Sequence, residues 1–227
     1  MQRASYSLWA APALIAAVAL AGAVPAFAAQ ASSAQDRVKG AENLVQQMKQ
    51  DPALAAVLQR ARGIFIIPRY GRGGFIVGGQ GGGGVVLVKH DGEWSSPAFY
   101  TMSGGSIGAQ AGGEGGAVAM ILMTPKAISR FESSSSGWSL NGNAGLTVVK
   151  WSGRTQANSS GDVILWTNTK GLYGGLTASL THLSADTKMD HAYYHQPVTS
   201  SQILAGNVSN PNADPLRNAL ASWVASR

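Results

Sequence analysis

Seventeen of the chain's 29 glycines fall between Gly71 and Gly116, and six of them crowd into the tract Gly78-Gly79-Gln80-Gly81-Gly82-Gly83-Gly84. Glycine disfavours helix, and inside strands it marks bulges, sharp bends and close backbone approach. The region also carries Phe75, Ile76, Val85, Val86, Leu87, Phe99, Tyr100 and Ile107, which supply a core and argue against a disordered linker. A strongly curved or barrel-like antiparallel sheet uses glycine this way. The expected fold class is therefore α+β, with that sheet accompanied by N-terminal, mid-chain and C-terminal helices.

The flanking sequence places the helices. Asp36 can cap a helix to about Gln50 with Val38, Ala41, Leu44, Val45 and Met48 on one face. Asp51-Pro52 opens a second, short helix ended by Gly63. Ile64-Phe65-Ile66-Ile67, bounded by Gly63 and Pro68, reads as a buried strand. Strands are expected at 74–78 and 85–89 on either side of the glycine tract. Others are expected from Trp94 to Met102, Ser106 to Ala111 and Ala117 to Met123, and in stretches from Trp138 to Leu183. Thr124-Pro125 opens a helix to about Phe131. Ser200 to Leu204 is a helix candidate, and Pro215 to Val224 reads as a terminal helix capped by Asp214, with Leu216, Leu220 and Trp223 on one face.

The N-terminus has the zones of a cleavable secretory signal: Arg3, an uncharged apolar run from Leu8 to Val24, and Ala26-Phe27-Ala28. The expected organisation is a signal over 1–28, a flexible leader over 29–35 and one domain over 36–227. The expected location is the periplasm or the outer membrane and cell surface, with peripheral attachment. Leu20-Ala21-Gly22 resembles the run before a lipidated Cys, but Ala23 follows and the chain has no Cys, so attachment must come from the folded protein itself. Absence of Cys also removes disulfides, thiolate metal sites and Cys nucleophiles.

Four chemical readings follow. Gly104-Gly105-Ser106-Ile107-Gly108 fits the serine-hydrolase elbow pattern, but the glycine-rich sequel is a poor helix, and the elbow needs one. Gly71-Arg72-Gly73-Gly74 leads into strand-like sequence and not into the helix N-terminus a phosphate loop needs. His191 and His195 have helical spacing for a metal but no accompanying motif. No cofactor, metal or nucleic acid is expected. The fourth reading is an anionic surface site. The chain carries 17 Lys and Arg against 11 Asp and Glu, and Pro52 to His90 holds no acidic residue. Arg60, Arg62, Arg69, Arg72 and Lys89 lie in that stretch beside Phe65, Tyr70 and Phe75, and basic groups with apolar neighbours suit lipid head groups.

The blocks Ala61-Arg62-Gly63-Ile64-Phe65-Ile66-Ile67-Pro68, Gly74-Phe75-Ile76-Val77-Gly78-Gly79-Gln80, Trp94-Ser95-Ser96-Pro97-Ala98-Phe99-Tyr100 and Gly104-Gly105-Ser106-Ile107-Gly108-Ala109-Gln110-Ala111-Gly112 resemble the SYLF domain, also called the Ysc84 domain. The resemblance implies a non-enzymatic lipid-binding protein. Eukaryotic members bind phosphoinositides and some bind actin, with membrane contact through an amphipathic N-terminal segment and basic surface. The corresponding region here holds Arg37, Lys39, Lys49, Arg60 and Arg62. Bacterial members are usually exported. Phosphoinositides are scarce in bacteria, so the implied partner is another anionic membrane lipid, with an envelope protein as the other candidate. The family context also makes Ser106 part of a block not known for hydrolysis.

Overall fold

The computed structural model describes residues 23–74, 77–107, 114–133, 137–139, 145–151, 161–168 and 181–225. Helices α1 (Ala23–Met48) and α2 (Pro52–Arg60) precede strands β1 (Gly63–Gly74), β2 (Val77–His90), β3 (Glu93–Trp94), β4 (Ala98–Ile107) and β5 (Glu114–Leu122). Helix α3 (Pro125–Glu132) and strands β6 (Trp138–Ser139), β7 (Val148–Lys150), β8 (Val163–Thr167) and β9 (Thr181–Ala185) follow. The chain closes with α4 (Thr187–Tyr194), α5 (Ser200–Leu204), a 3-10 turn (Pro211–Ala213) and α6 (Asp214–Ala225).

The strands form one curled, half-barrel sheet in the order β6-β9-β4-β2-β1-β5-β8-β7, with β3 paired to β2 off this path. The expected α+β class holds. The sheet is mixed, however, because β7 runs parallel to β8 while the other pairs are antiparallel. Every side chain of Ile64–Ile67 is fully buried, so central strand β1 is covered on both faces there.

The glycine tract lies inside β2 and not between two strands, and β1 explains why. Pro68 is in this central strand, yet proline has no N–H to give the ladder and is tolerated in sheets at edges and bulges. Between Ile66 and Gly71, β1 carries one residue more than β2, and the same shift appears against β5 between Ile67 and Tyr70. The bulge at Pro68-Arg69 thus acts against both neighbours. It throws β1 carbonyls toward β2: a Cβ on Gly84 would collide with the Ile66 carbonyl oxygen and sit 2.7 Å from Phe65 Cε2. Only glycine lets β2 pass so close, and a bulge with such a close approach bends the sheet.

Several local expectations match. Asp51 accepts from Ala53 N at 3.0 Å with Pro52 in the first turn of α2, and Thr124 accepts from Ala127 N at 3.3 Å to open α3. The faces expected of α1 and α6 are the buried ones, including Val38, Leu44, Met48, Leu216 and Trp223. Other boundaries differ. Helix α1 includes residues 29–35, where a flexible leader was expected, in keeping with the helix propensity of their alanines. Ala61 is the C-cap of α2 with an extended backbone, while Gly63 already pairs with Val88 in the sheet. Phe75, Ile76 and residues 169–180 lie outside the described residues.

The last helices are tied to the sheet by Asp190, a fully buried carboxylate. β9 ends opposite Tyr100, and α4 continues from it, so Phe99 N has passed the end of the ladder. Asp190 Oδ1 accepts that N–H at 2.8 Å, and Oδ2 accepts the Ser200 hydroxyl of α5 at 2.9 Å. Burial pushes the Asp190 carboxyl up to about 7, helped by the nearby Asp186 carboxylate and opposed by the two hydrogen bonds.

Two outcomes follow. Gly84→Ala should cost about 3 kcal/mol in urea unfolding, whereas Gly79→Ala, which meets nothing within 4 Å, should change little; equal losses would contradict the bulge account. Asp190 takes up its proton in the folded state near neutrality and in the unfolded chain only at ordinary carboxylate pH. Folding stability therefore falls as pH rises from about 4 to about 7, with a slope of about 1.4 kcal/mol for each pH unit inside that window. Asp190→Asn keeps an acceptor for Phe99 and offers a donor to Ser200, so its stability should gain on the wild type from pH 5 to pH 8. A difference that stays constant over that range would refute the assignment.

Candidate functional site

Helix α1 crosses β1 and β2 at the bulge. Gly40 makes this possible, since a Cβ there would lie 2.9 Å from Pro68 Cβ. Three residues earlier, Arg37 reaches down to the sheet. Its guanidinium pairs with Asp186 Oδ2 at 3.3 Å and stands 6.0 Å from the Phe99 ring centroid. The same guanidinium fills the position that a side chain on Gly83 would need. Asp186 is the N-cap of α4 and accepts from Met189 N at 3.3 Å. Arg37 thus joins α1, the glycine tract and α4.

Beside this joint lies a cleft of about 620 Å³ between α1 and the bulged part of the sheet. Asp36, Lys39, Asn43 and Gln47 line it from α1, and Arg69 and Asn168 from the opposite side. Arg69 is exposed because the bulge turns it outward from an otherwise buried segment. Lys39 is also exposed, and neither cation has an ion-pair partner among the described residues. Asp36 is the acidic residue of the lining. The lining holds cations, an acid and amides, which suits recognition of an anionic, hydrogen-bonding group.

The basic and aromatic residues expected to form one surface divide into separate groups. Lys39 and Arg69 share the cleft. Arg37 lines it too but is committed to Asp186. Lys49, in the turn after α1, donates to Ser222 Oγ at 2.7 Å and fastens that turn to α6. Arg60 and Arg62 are exposed at the far end of β1, where the Arg62 carbonyl accepts from Lys89 N at 2.8 Å. Residues 62 to 69 of an extended strand span about 20 Å, too far for one compact head-group site. Lys89 is half-buried with its ammonium 4.9 Å from the Trp94 ring centroid, and burial lowers its pKa. Arg72 stands in β1 opposite Gln80 and Glu114. Tyr70 is corrected outright: it is 2 % exposed and belongs to the core, as does Phe65, so neither can insert into a membrane.

The other candidates also resolve. Ser106 is within β4 opposite Gly78, and the next described element is strand β5, so the strand-to-helix elbow is not its setting. His191 is in α4, but His195 is the C-cap with φ 55, so the helical spacing between them breaks at that turn. No group of three or more His, Cys, Asp or Glu able to hold a metal occurs among the described residues. The contacts that Gly83, Asp186 and Asp190 make are not legible from any sequence motif. An available signal was Asp186-Thr187, an N-cap residue before a short helical stretch.

Comparison with known proteins identifies the family. The Ysc84 family model, described as Las17-binding protein actin regulator, matches residues 103–223. Protein YSC84 of Saccharomyces cerevisiae is 30% identical over 173 residues, covering 73% of this chain and 37% of its own length. LAS seventeen-binding protein 3 of the same yeast is 29% identical over 173 residues, covering 73% of this chain and 38% of its own. The human SH3 domain-containing YSC84-like protein 1 is 27% identical over 177 residues, covering 75% of this chain and 51% of its own. The chain thus spans about half or less of the length of these relatives. No solved structure matches it. The family model covers more than half of the chain, and the chain belongs to the Ysc84 family.

Proposed function

We propose that this protein is a non-catalytic binding module of a bacterial cell envelope that recognises the head groups of anionic lipids. The observation that carries the reading is the cleft under α1, where Lys39 and Arg69 stand without ion-pair partners among the described residues, beside the Asn43 and Gln47 amides. Phosphate oxygens accept from ammonium, guanidinium and amide donors alike. Relatives are named as binding or regulatory proteins, which supports a role without catalysis. The N-terminal signal pattern supports export to the periplasm or the cell surface. With no Cys to carry a lipid, attachment would rest on reversible contacts at this cleft. Exposed Arg60 and Arg62, at the other end of β1, would add only non-specific attraction to an anionic surface.

A second reading is a protein-binding module. It is favoured by the words Las17-binding in the family description and LAS seventeen-binding in the name of a yeast relative. An envelope protein would then occupy the same cleft through acidic side chains.

Co-sedimentation with vesicles separates the two. Binding should rise with anionic lipid and fall with salt. Lys39→Ala and Arg69→Ala should each weaken it by about 1 kcal/mol, roughly five-fold in Kd, while Arg60→Ala has a smaller effect. Equal recovery from neutral and anionic vesicles would overturn the lipid reading, and capture of one envelope protein lost in Arg69→Ala would establish the second.

A further inference from the structure

The side chains that α1 turns toward the cleft have an order. Asp36, Lys39, Asn43 and Gln47 recur at steps of three and four residues, so they lie along one face of the helix over about 16 Å. All four are exposed, and none has an ion pair or a side-chain hydrogen bond among the described residues. Arg37 and Lys49, in contrast, are used by the fold itself.

Asp36 and Lys39 are the telling pair. Their spacing permits an ion pair across one helical turn, yet none forms between them. Gly40 rests against Pro68, so the next residue of β1, Arg69, enters the cleft at the level of Lys39. The cleft therefore has a cationic middle, a carboxylate on its N-terminal side and two amides on its C-terminal side.

This order selects among anions. The Arg37 charge is met by Asp186, so Lys39 and Arg69 against Asp36 leave the lining one net positive charge. A phosphomonoester carries about two negative charges at neutral pH and would set the second against Asp36. A phosphodiester carries one. Asp36 can accept hydrogen bonds and not give them, whereas the Asn43 and Gln47 amides do both, as a hydroxyl does. A head group with hydroxyls beside its phosphate would give one to Asp36 and exchange others with the amides.

We propose that the cleft selects a singly charged phosphodiester whose head group carries hydroxyls, with Lys39 and Arg69 on the phosphate and Asp36 as the specificity-determining acceptor. The proposal rests on the head-group reading of the cleft and adds to it the kind of head group. Attraction to the cations alone would favour the most highly charged lipid, and Asp36 reverses that order.

The test is co-sedimentation of the intact protein with phosphatidylcholine vesicles that carry phosphatidylglycerol, phosphatidylmethanol or phosphatidate, matched in surface charge. Phosphatidylmethanol has the single charge of phosphatidylglycerol but no head-group hydroxyl. The wild type should bind phosphatidylglycerol about five-fold more tightly than either of the others. Asp36→Ala, which favours helix, should bind phosphatidylglycerol and phosphatidylmethanol alike and gain affinity for phosphatidate. Asp36→Asn keeps an acceptor without the charge, so it should gain on phosphatidate yet retain part of the preference for phosphatidylglycerol over phosphatidylmethanol. Equal binding of those two lipids by the wild type, or an undiminished preference in Asp36→Ala, would overturn the proposal. Either result with anionic-vesicle binding still lost in Arg69→Ala would leave the head-group reading standing. Failure of all three anionic vesicles to bind better than phosphatidylcholine alone would overturn both.

Discussion

A proline in the central strand of the sheet is the constraint on which the rest depends. Pro68 cannot donate to either neighbour, and β1 absorbs this by carrying an extra residue against β2 and β5 alike. The bulge presses β1 carbonyls on β2, and β2 answers with glycine where a Cβ would collide. The same bulge gives α1 its seat, with Gly40 against Pro68, and it turns Arg69 out of a buried strand into the cleft. The curl of the sheet, the docking of the helix and the exposure of a cation are thus consequences of one missing N–H.

This dependence explains which parts of the fold are legible in the sequence. Signals contained within a few residues are read correctly: the Asp51-Pro52 and Thr124-Pro125 helix starts, the apolar run Ile64–Ile67, and the apolar faces of α1 and α6. The glycine tract is read correctly as a sign of curvature but wrongly as a break between strands. Its crowding partners, Ile66 and Arg69, belong to another strand, and no local pattern couples them. Tyr70 fails as a surface anchor for a related reason. Beside the charged and exposed Arg69 it reads as surface, but the bulge shifts the alternation of faces and turns it into the core. The basic stretch looks like one site because it is continuous in sequence, yet an extended strand separates its ends.

The two interactions that hold α4 have opposite electrical logic. Arg37 and Asp186 form a half-buried pair at the start of the helix, while Asp190, one turn further, is buried with hydrogen bonds from Phe99 and Ser200 but no cation among the described residues. Asp186 raises the cost of ionising Asp190, and Arg37 offsets part of the Asp186 charge. The joint between α1 and the sheet is therefore coupled to the ionisation of Asp190, whose own hydrogen bonds run to β4 and α5. Sequence reading misses this because neither carboxylate belongs to a motif. Their roles come from the β9-to-α4 junction, which places Asp186 and Asp190 one above the other over the end of β4.

Helix α1 then decides how each charge can be used. Arg37 is too committed to the sheet to bind a ligand without loosening the fold, and Lys49 is held by Ser222. Lys39, on the buried-faced helix between the bulge and the end of α4, is left exposed and lines the cleft, so among the described residues it is the α1 cation whose charge the fold does not already use.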